Sequence, residues 1–255
     1  MVSKYAELSF RGHVAQLTLN RPPLNVMNLE MIQEINTALA HLLAEDRCQA
    51  VLLRGAGKAF SAGVDVADHV PERTELMIQT FHRTFHLLNE FDVPTIASVH
   101  GMALGGGFEL ATFCDFVIAS REAKLGLPEI KVGVFPPVAC AILTRLCNPR
   151  RALELILTGE SISGEEAERI GLVNRAVESA ELDIQTWAFL DRILVNSNAV
   201  VKMARKAIRA SRGKPFAGKL DAIEDIYLNE LMKLEDAQEG LNAFMEKRPP
   251  AWKNR

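Results

Sequence analysis

The stretch Val99-His-Gly-Met-Ala-Leu-Gly-Gly-Gly-Phe-Glu-Leu-Ala111 constrains this chain more than any other. An apolar, β-like run, Pro94-Thr-Ile-Ala-Ser-Val99, enters it, three consecutive glycines turn it, and a helix-like run leaves it. Glycines at such a junction accept positive φ and let another group approach the backbone closely. The first N–H groups of the following helix have no partner inside it and can hold an anion. Glu109 lies three residues beyond Gly106, on the same side of that first turn. An anion-stabilising amide beside a carboxylate is what proton transfer next to a carbonyl requires. Taken alone, the pattern also fits a plain strand-to-helix turn whose glutamate is favoured by the helix dipole.

The rest of the chain reads as strands alternating with helices. Residues 5–19 give two short strands around Arg11-Gly12, and Asn28 can cap a helix whose Ile32, Ile35, Leu39 and Leu42 share one face. A buried strand at 49–54 leads into a loop of small residues, 55–66, and then an amphipathic helix over 72–91 with Leu76, Phe81, Phe85, Leu87 and Leu88 on its apolar side. A further strand is expected at 115–119, a loop-rich passage at 123–137, and helices at 138–147 and 149–157. Ser163-Gly-Glu-Glu166 fits a capping box, Gly171 a helix stop, and 172–177 a short strand. This alternation implies an α/β fold with mainly parallel pairing. The expected division is a core over 1–200 and a helical region over 201–255, which is too apolar (Ile208, Ile223, Ile226, Leu228, Leu231, Leu234) to stand unpacked.

Composition narrows the function. The 255 residues carry a net charge of −3, so no general basic field attracts nucleic acid or an acidic membrane surface. No run is apolar and long enough to span a bilayer, and the first residues lack the apolar core of a signal peptide. Cys48, Cys114, Cys140 and Cys147 lack zinc-finger spacing and read as reduced, mostly buried thiols, giving a cytoplasmic expectation. His82 and His86 are spaced i, i+4 but lack an evident third ligand, so no metal is expected.

Three glycine-containing segments, 57–68, 99–111 and 125–137, fall near strand ends, where α/β folds bind ligands. The loop Ser61-Ala-Gly-Val-Asp65 can present the Val64 N–H to pair with that of Gly106 around one oxygen. Glu129 follows Pro128 in a rigid loop position. If Glu109 and Glu129 face each other across a half-buried pocket, repulsion and desolvation separate their proton affinities, and one can hold water while the other supplies a proton. Taken singly, Glu129 also fits a solvated loop acid.

Together these segments resemble the crotonase, or enoyl-CoA hydratase/isomerase, family. The resemblance runs from Arg21-Pro22 and Asn25 to Phe244-Met-Glu-Lys-Arg-Pro249 and is most specific in Ala59-Phe-Ser-Ala-Gly-Val-Asp65, His100-Gly-Met-Ala-Leu-Gly-Gly-Gly-Phe-Glu109, Cys114-Asp115 and Pro128-Glu-Ile130. It implies a spiral of ββα units with a helical C-terminal trimerisation region, forming a homotrimer or a dimer of trimers. It also implies an acyl-CoA thioester held by the Val64 and Gly106 amides. Ala62, Asp65, Val66 and Ala67 would be its coenzyme A contacts, Glu109 and Glu129 the acid and base. Coenzyme A arrives with the substrate, so no separate cofactor is implied. In the resemblance, Glu129 is the main proton donor and acceptor and Glu109 orients the water.

One departure stands out. Where hydratases of fatty-acid breakdown carry a glycine-rich run, this chain has Phe135-Pro-Pro-Val-Ala-Cys140. With Val64-Asp-Val-Ala-Asp-His-Val-Pro-Glu72 and Phe81-His-Arg-Thr-Phe85, that run is similar to hydratases acting on cyclohexa-1,5-diene-1-carbonyl-CoA in anaerobic benzoyl-CoA breakdown. The competing readings are a general short-chain enoyl-CoA hydratase/isomerase and a non-catalytic assembly or RNA-binding relative.

Overall fold

The computed structural model describes residues 3–255. Internal contacts divide the chain into two compact units: one runs through Phe91 and resumes over Thr95–Thr186, the other joins Asp92–Pro94 to Trp187–Arg255.

All the strands described lie in the first unit. β1 (Ala6–Arg11) and β2 (Val14–Leu19) form an antiparallel hairpin, and α1 (Leu29–Leu43) follows. Asn28 caps α1, its side chain accepting from the Met31 N–H at 3.1 Å, and Ile32, Ile35, Leu39 and Leu42 are buried as their spacing requires. β3 (Ala50–Gly55) pairs parallel with β2, and α2 (Pro71–Glu90) comes next. On α2 the buried line is Met77, Phe81, Thr84, Phe85 and Leu88, whereas Leu76 is exposed. The 3.6-residue period anchored on Phe81 and Phe85 selects position 77, so the sequence expectation for Leu76 is corrected.

β4 (Thr95–Val99), β6 (Phe116–Ser120) and β9 (Arg175–Val177) complete a six-stranded sheet in the order β1-β2-β3-β4-β6-β9. Every residue of β4 is buried, as expected of a parallel strand covered on both faces. A second sheet is built from β5 (Met102–Leu104), β7 (Lys124–Gly126) and β8 (Ser161–Ser163), each three residues long. Sequence periodicity reads β5 and β7 as turn and loop, because three residues are too few for alternation to register. Isolated bridges extend this ladder, pairing Ser61 with Ala103 and Met27 with Val64. The chain therefore repeats one move: a strand in the large sheet, a short step in the small one, then a helix.

α3 (Gly106–Phe113) leaves β5, and a 3-10 turn, Pro128–Val132, leaves β7. α4 (Pro137–Leu146), α5 (Pro149–Thr158) and α6 (Gly164–Arg169) follow. At α6 only half of the expected capping box forms. The Ser163 hydroxyl accepts from the Glu166 N–H, but the Glu166 carboxylate binds Arg151 and Arg169 instead of reaching back.

α7 (Leu182–Leu194) passes from the first unit into the second, which also holds α8 (Asn198–Ala210), α9 (Phe216–Asn229) and α10 (Glu235–Glu246). Asp236, buried at the start of α10, accepts from the Ser197 hydroxyl and from the Lys253 and Asn254 N–H groups, tying down the chain's last residues. Ile226 is buried here, while Ile208 and Leu228 are more than half exposed. Among the described residues no helix is long and apolar enough to cross a membrane, and no group of three or more His, Cys, Asp or Glu is placed to hold a metal.

Candidate active site

Two backbone segments of the first unit meet at one cavity. The first is 61–65. Met27 N–H donates to Gly63 O at 2.8 Å and Asp65 N–H donates to Met27 O at 2.9 Å. With the flanking residues engaged on that side, Val64 turns its own N–H the other way, and this N–H meets no acceptor among the described residues. The second segment is the start of α3. Gly105 stands at φ +51, ψ −129 and donates its N–H to Gly126 O. Gly106 then opens the helix, and its N–H likewise meets no acceptor among the described residues, as first-turn groups do.

Close approach dictates glycine at both positions. A Cβ on Gly105 would stand 2.8 Å from Glu129 Oε1, and one on Gly106 would stand 2.7 Å from Val64 Cγ2 and 2.8 Å from Phe81 Cζ. The same contacts show that the Gly105–Gly106 backbone lies against the Glu129 carboxyl on one side and the Val64 segment on the other.

Glu109, one turn into α3, is 2% exposed. Its Oε1 accepts from the Ala139 N–H at 2.8 Å, and the Val138 amide also bonds to it. These are free first-turn donors of α4, whose helix opens with Pro137 at a position that needs no N–H. Phe135-Pro-Pro-Val-Ala-Cys140 is thus a helix N-terminus plugged by a carboxyl group. Burial pushes Glu109 up to about 7, and the charge of Glu129 adds to this, while the two amides pull the other way. Glu129, on the 3-10 turn, is half-buried, and burial pushes it up to about 7 as well. Its Oε2 is buried without a hydrogen-bond partner. Cys140, in the first turn of α4, is exposed rather than buried as the sequence reading expects, and partial desolvation and then the charges of Glu109 and Glu129 raise its thiol.

The cavity, about 200 Å³, is lined by Ala62, Val64, Val66, Gly106, Glu109 and Glu129 from the sequence-derived set. Asp65 and Ala67 lie outside its lining. Asp65 accepts from the Ala67 N–H at 3.1 Å, opening the 3-10 turn Val66–His69, and pairs with Arg21 at 3.5 Å. Sequence reasoning did not place His69, Met77, Ile78, Val132 and Val134 at the site, and it assigned Phe81 to the core; all six line the cavity. The signal for Met77, Ile78 and Phe81 was a helix face richer in apolar residues than one buried stripe needs. For Val132 and Val134 no local pattern exists. His82 and His86 do not line it.

The cavity brings together the Val64 and Gly106 segments, each with an N–H not bonded to another described residue, two carboxyl groups of raised proton affinity, and apolar side chains. It can polarise a carbonyl while moving a proton to or from a neighbouring carbon.

The buried acids also set a stability trend. A carboxyl group whose folded proton affinity is raised favours folding below its unfolded pKa, and that contribution is lost as pH climbs through the folded value. For Glu109 the window runs from about 4.5 to about 7. The contribution of Glu109 to Tm should fall between about pH 4.5 and 7, and Glu109→Gln should remove that part of the fall. Asp236, held low, titrates below this window, whereas His82, held below the usual 6.5 by burial, works in the opposite direction, so the test is the difference in slope between the two proteins. An equal slope in both proteins would count against a buried, ionising Glu109.

Comparison with known proteins gives the family. Residues 9–255 match the enoyl-CoA hydratase/isomerase family. The chain is 36% identical to a cyclohexa-1,5-dienecarbonyl-CoA hydratase of Thauera aromatica, over 96% of this chain and 94% of that one. It is 35% identical to a short-chain-enoyl-CoA hydratase of Clostridium acetobutylicum, over 97% of each. The solved structure of an enoyl-CoA hydratase from Bacillus anthracis superposes with a TM-score of 0.92 at 31% identity, covering 99% of this chain and 100% of the other. The repeated strand, short step and helix described above is the crotonase fold, and the chain belongs to the enoyl-CoA hydratase/isomerase family.

Proposed function

We propose that this protein is a hydro-lyase that adds water to a cyclic, conjugated dienoyl-CoA, converting cyclohexa-1,5-diene-1-carbonyl-CoA to 6-hydroxycyclohex-1-ene-1-carbonyl-CoA. The observation that carries the hydratase part is the pairing of Glu109 and Glu129 at the cavity that the Val64 and Gly106 segments also line. The cyclic substrate is supported by the relative from Thauera aromatica and by the Pro136-Pro137 opening of α4, where the resemblance leads one to expect glycines.

The thioester oxygen accepts from Val64 N–H and Gly106 N–H. Electron density drawn onto that oxygen makes the ring carbon β to the carbonyl electrophilic. Glu109, fixed by two amides, orients the water. Glu129, whose Oε2 has no protein partner, is the carboxyl free to exchange a proton. Water oxygen bonds to the β-carbon, its proton passes to carboxylate, and the displaced electron pair rests on the thioester oxygen as a dienolate. Loss of one such amide donor costs roughly 3–4 kcal/mol of barrier. This attack of water on the β-carbon calls on no cofactor.

Side-by-side turnover is the test. Cyclohexa-1,5-diene-1-carbonyl-CoA should be hydrated at least about tenfold faster than crotonyl-CoA, since a mismatched acyl shape costs 1–3 kcal/mol. Faster crotonyl-CoA turnover would replace the cyclic substrate with a linear one and leave the hydratase reading standing.

The same reading includes self-association, as a trimer or a pair of trimers. Phe216, Tyr227, Leu228, Phe244 and Met245 on α9 and α10 are all more than half exposed, which is more apolar surface than a solitary helical unit usually presents. Light scattering should give a mass that is a multiple of the 28.2 kDa chain, threefold or sixfold; a monomer would refute this part.

A further inference from the structure

Among the described residues His69 is the only titratable side chain lining the cavity besides the two glutamates; the remaining lining is glycine, proline and apolar groups. It closes the 3-10 turn Val66–His69, directly after the segment that presents the Val64 amide. Its Nδ1 lies 3.1 Å from Asp65 O. A carbonyl oxygen only accepts, so Nδ1 carries the hydrogen and the ring is fixed with Nε2 uncommitted. Asp65 is itself anchored by Arg21 and by the Ala67 N–H, so the ring stands on a braced turn. No step written above uses this histidine.

The cyclic reaction contains a step that the linear one lacks, and this inference rests on the cyclic reading. In a linear enoyl thioester the hydroxyl enters at the β-carbon and the proton at its neighbour beside the carbonyl. In the ring, 6-hydroxycyclohex-1-ene-1-carbonyl-CoA keeps a double bond at the carbon bearing the thioester. Attack at the β-carbon, C2, gives a dienolate running through C1, C6 and C5. To leave C1 doubly bonded, the proton must enter at C5, and the remaining double bond then joins C1 and C6. Oxygen and proton therefore enter at opposite corners of the ring. A water shared by Glu109 and Glu129 serves C2, and C5 lies across the ring from it.

We propose that His69 is a catalytic residue that delivers the proton to C5. In its charged form Nε2–H transfers its proton to C5 as the dienolate electrons form the new C–H bond. The ring is left uncharged, still donating from Nδ1 to Asp65. The proton removed from water sits on a glutamate, and exchange with solvent returns both groups to their starting forms, so the sum is one water added.

The test compares His69→Phe and His69→Gln with the wild-type enzyme on both thioesters. For the cyclic dienoyl-CoA both variants should lower kcat about 100-fold with KM within about threefold, the scale of a lost general acid. Glutamine keeps a polar tip but cannot act as this acid, so it should be as slow as phenylalanine. The same changes should slow crotonyl-CoA at least about ten times less, because its proton enters beside the carbonyl. Full recovery with glutamine, an effect confined to KM, or an equal loss on both substrates would overturn the assignment. If the wild-type enzyme does not hydrate the cyclic compound, the cyclic reading itself falls, an outcome separable from failure of His69 alone.

Discussion

Glu129→Gln is expected to lower kcat for hydration by about 10³-fold, near the middle of the range for a lost general acid–base group. The expectation follows from the unequal settings of the two acids. Glu109 is buried and tied to two amides of α4, whereas Glu129 presents a buried Oε2 with no protein partner and a proton affinity raised by burial to about 7. A carboxyl group poised there exchanges protons near neutral pH, and an amide of the same shape cannot. Because Glu129 sits on a short turn and anchors nothing through its side chain, the variant should fold normally and bind acyl-CoA with little change. Stopped-flow or steady-state rates, with titration of a non-reacting acyl-CoA, check both halves. Turnover within tenfold of wild type would transfer the proton-handling role elsewhere.

Gly106→Ala is expected to cost nearly as much, by a different route. The new methyl group would meet Val64 Cγ2 at 2.7 Å and Phe81 Cζ at 2.8 Å. Phe81 cannot yield easily, since it packs edge-on to Phe85 at 4.9 Å and Phe85 packs in turn on Phe113 at 5.1 Å. Val64 is held by the bridge to Met27. The first turn of α3 must therefore retreat, carrying its amide away from that of Val64. Losing one donor to the developing oxyanion lowers kcat by about 10²–10³. Adding Phe81→Leu to Gly106→Ala opens space and should restore part of the rate. A kcat for Gly106→Ala within threefold of wild type would mean that the two amides do not act together.

The larger elements were legible in the sequence because their physical signals are local. α1 carries its own cap and a complete apolar face, and the run around Ala50–Gly55 is buried along nearly its whole length. β5 and β7 escaped notice because three residues beside glycines show no period, although β5 is what aims α3. The two glutamates are twenty positions apart, and no spacing rule brings them together; only the parallel pairing of β5 with β7 does so. The anchoring of Glu109 was readable in part. Pro-Pro ahead of Val-Ala marks a helix start, and a helix start offers spare amides, but which carboxyl takes them is a tertiary fact. His69 lay within the run Val64–Glu72 that carries the resemblance, but nothing in that run gave it a role, and its place at the site follows from a turn four residues long.

The most direct measurement is a crystal structure of Glu129→Gln with cyclohexa-1,5-diene-1-carbonyl-CoA bound. The expected result places the thioester oxygen about 2.7–3.1 Å from both the Val64 and Gly106 nitrogens, with the β-carbon facing Glu109 and residue 129. A thioester oxygen pointing away from both amides, or a ring seated outside the cavity those acids share, would contradict it.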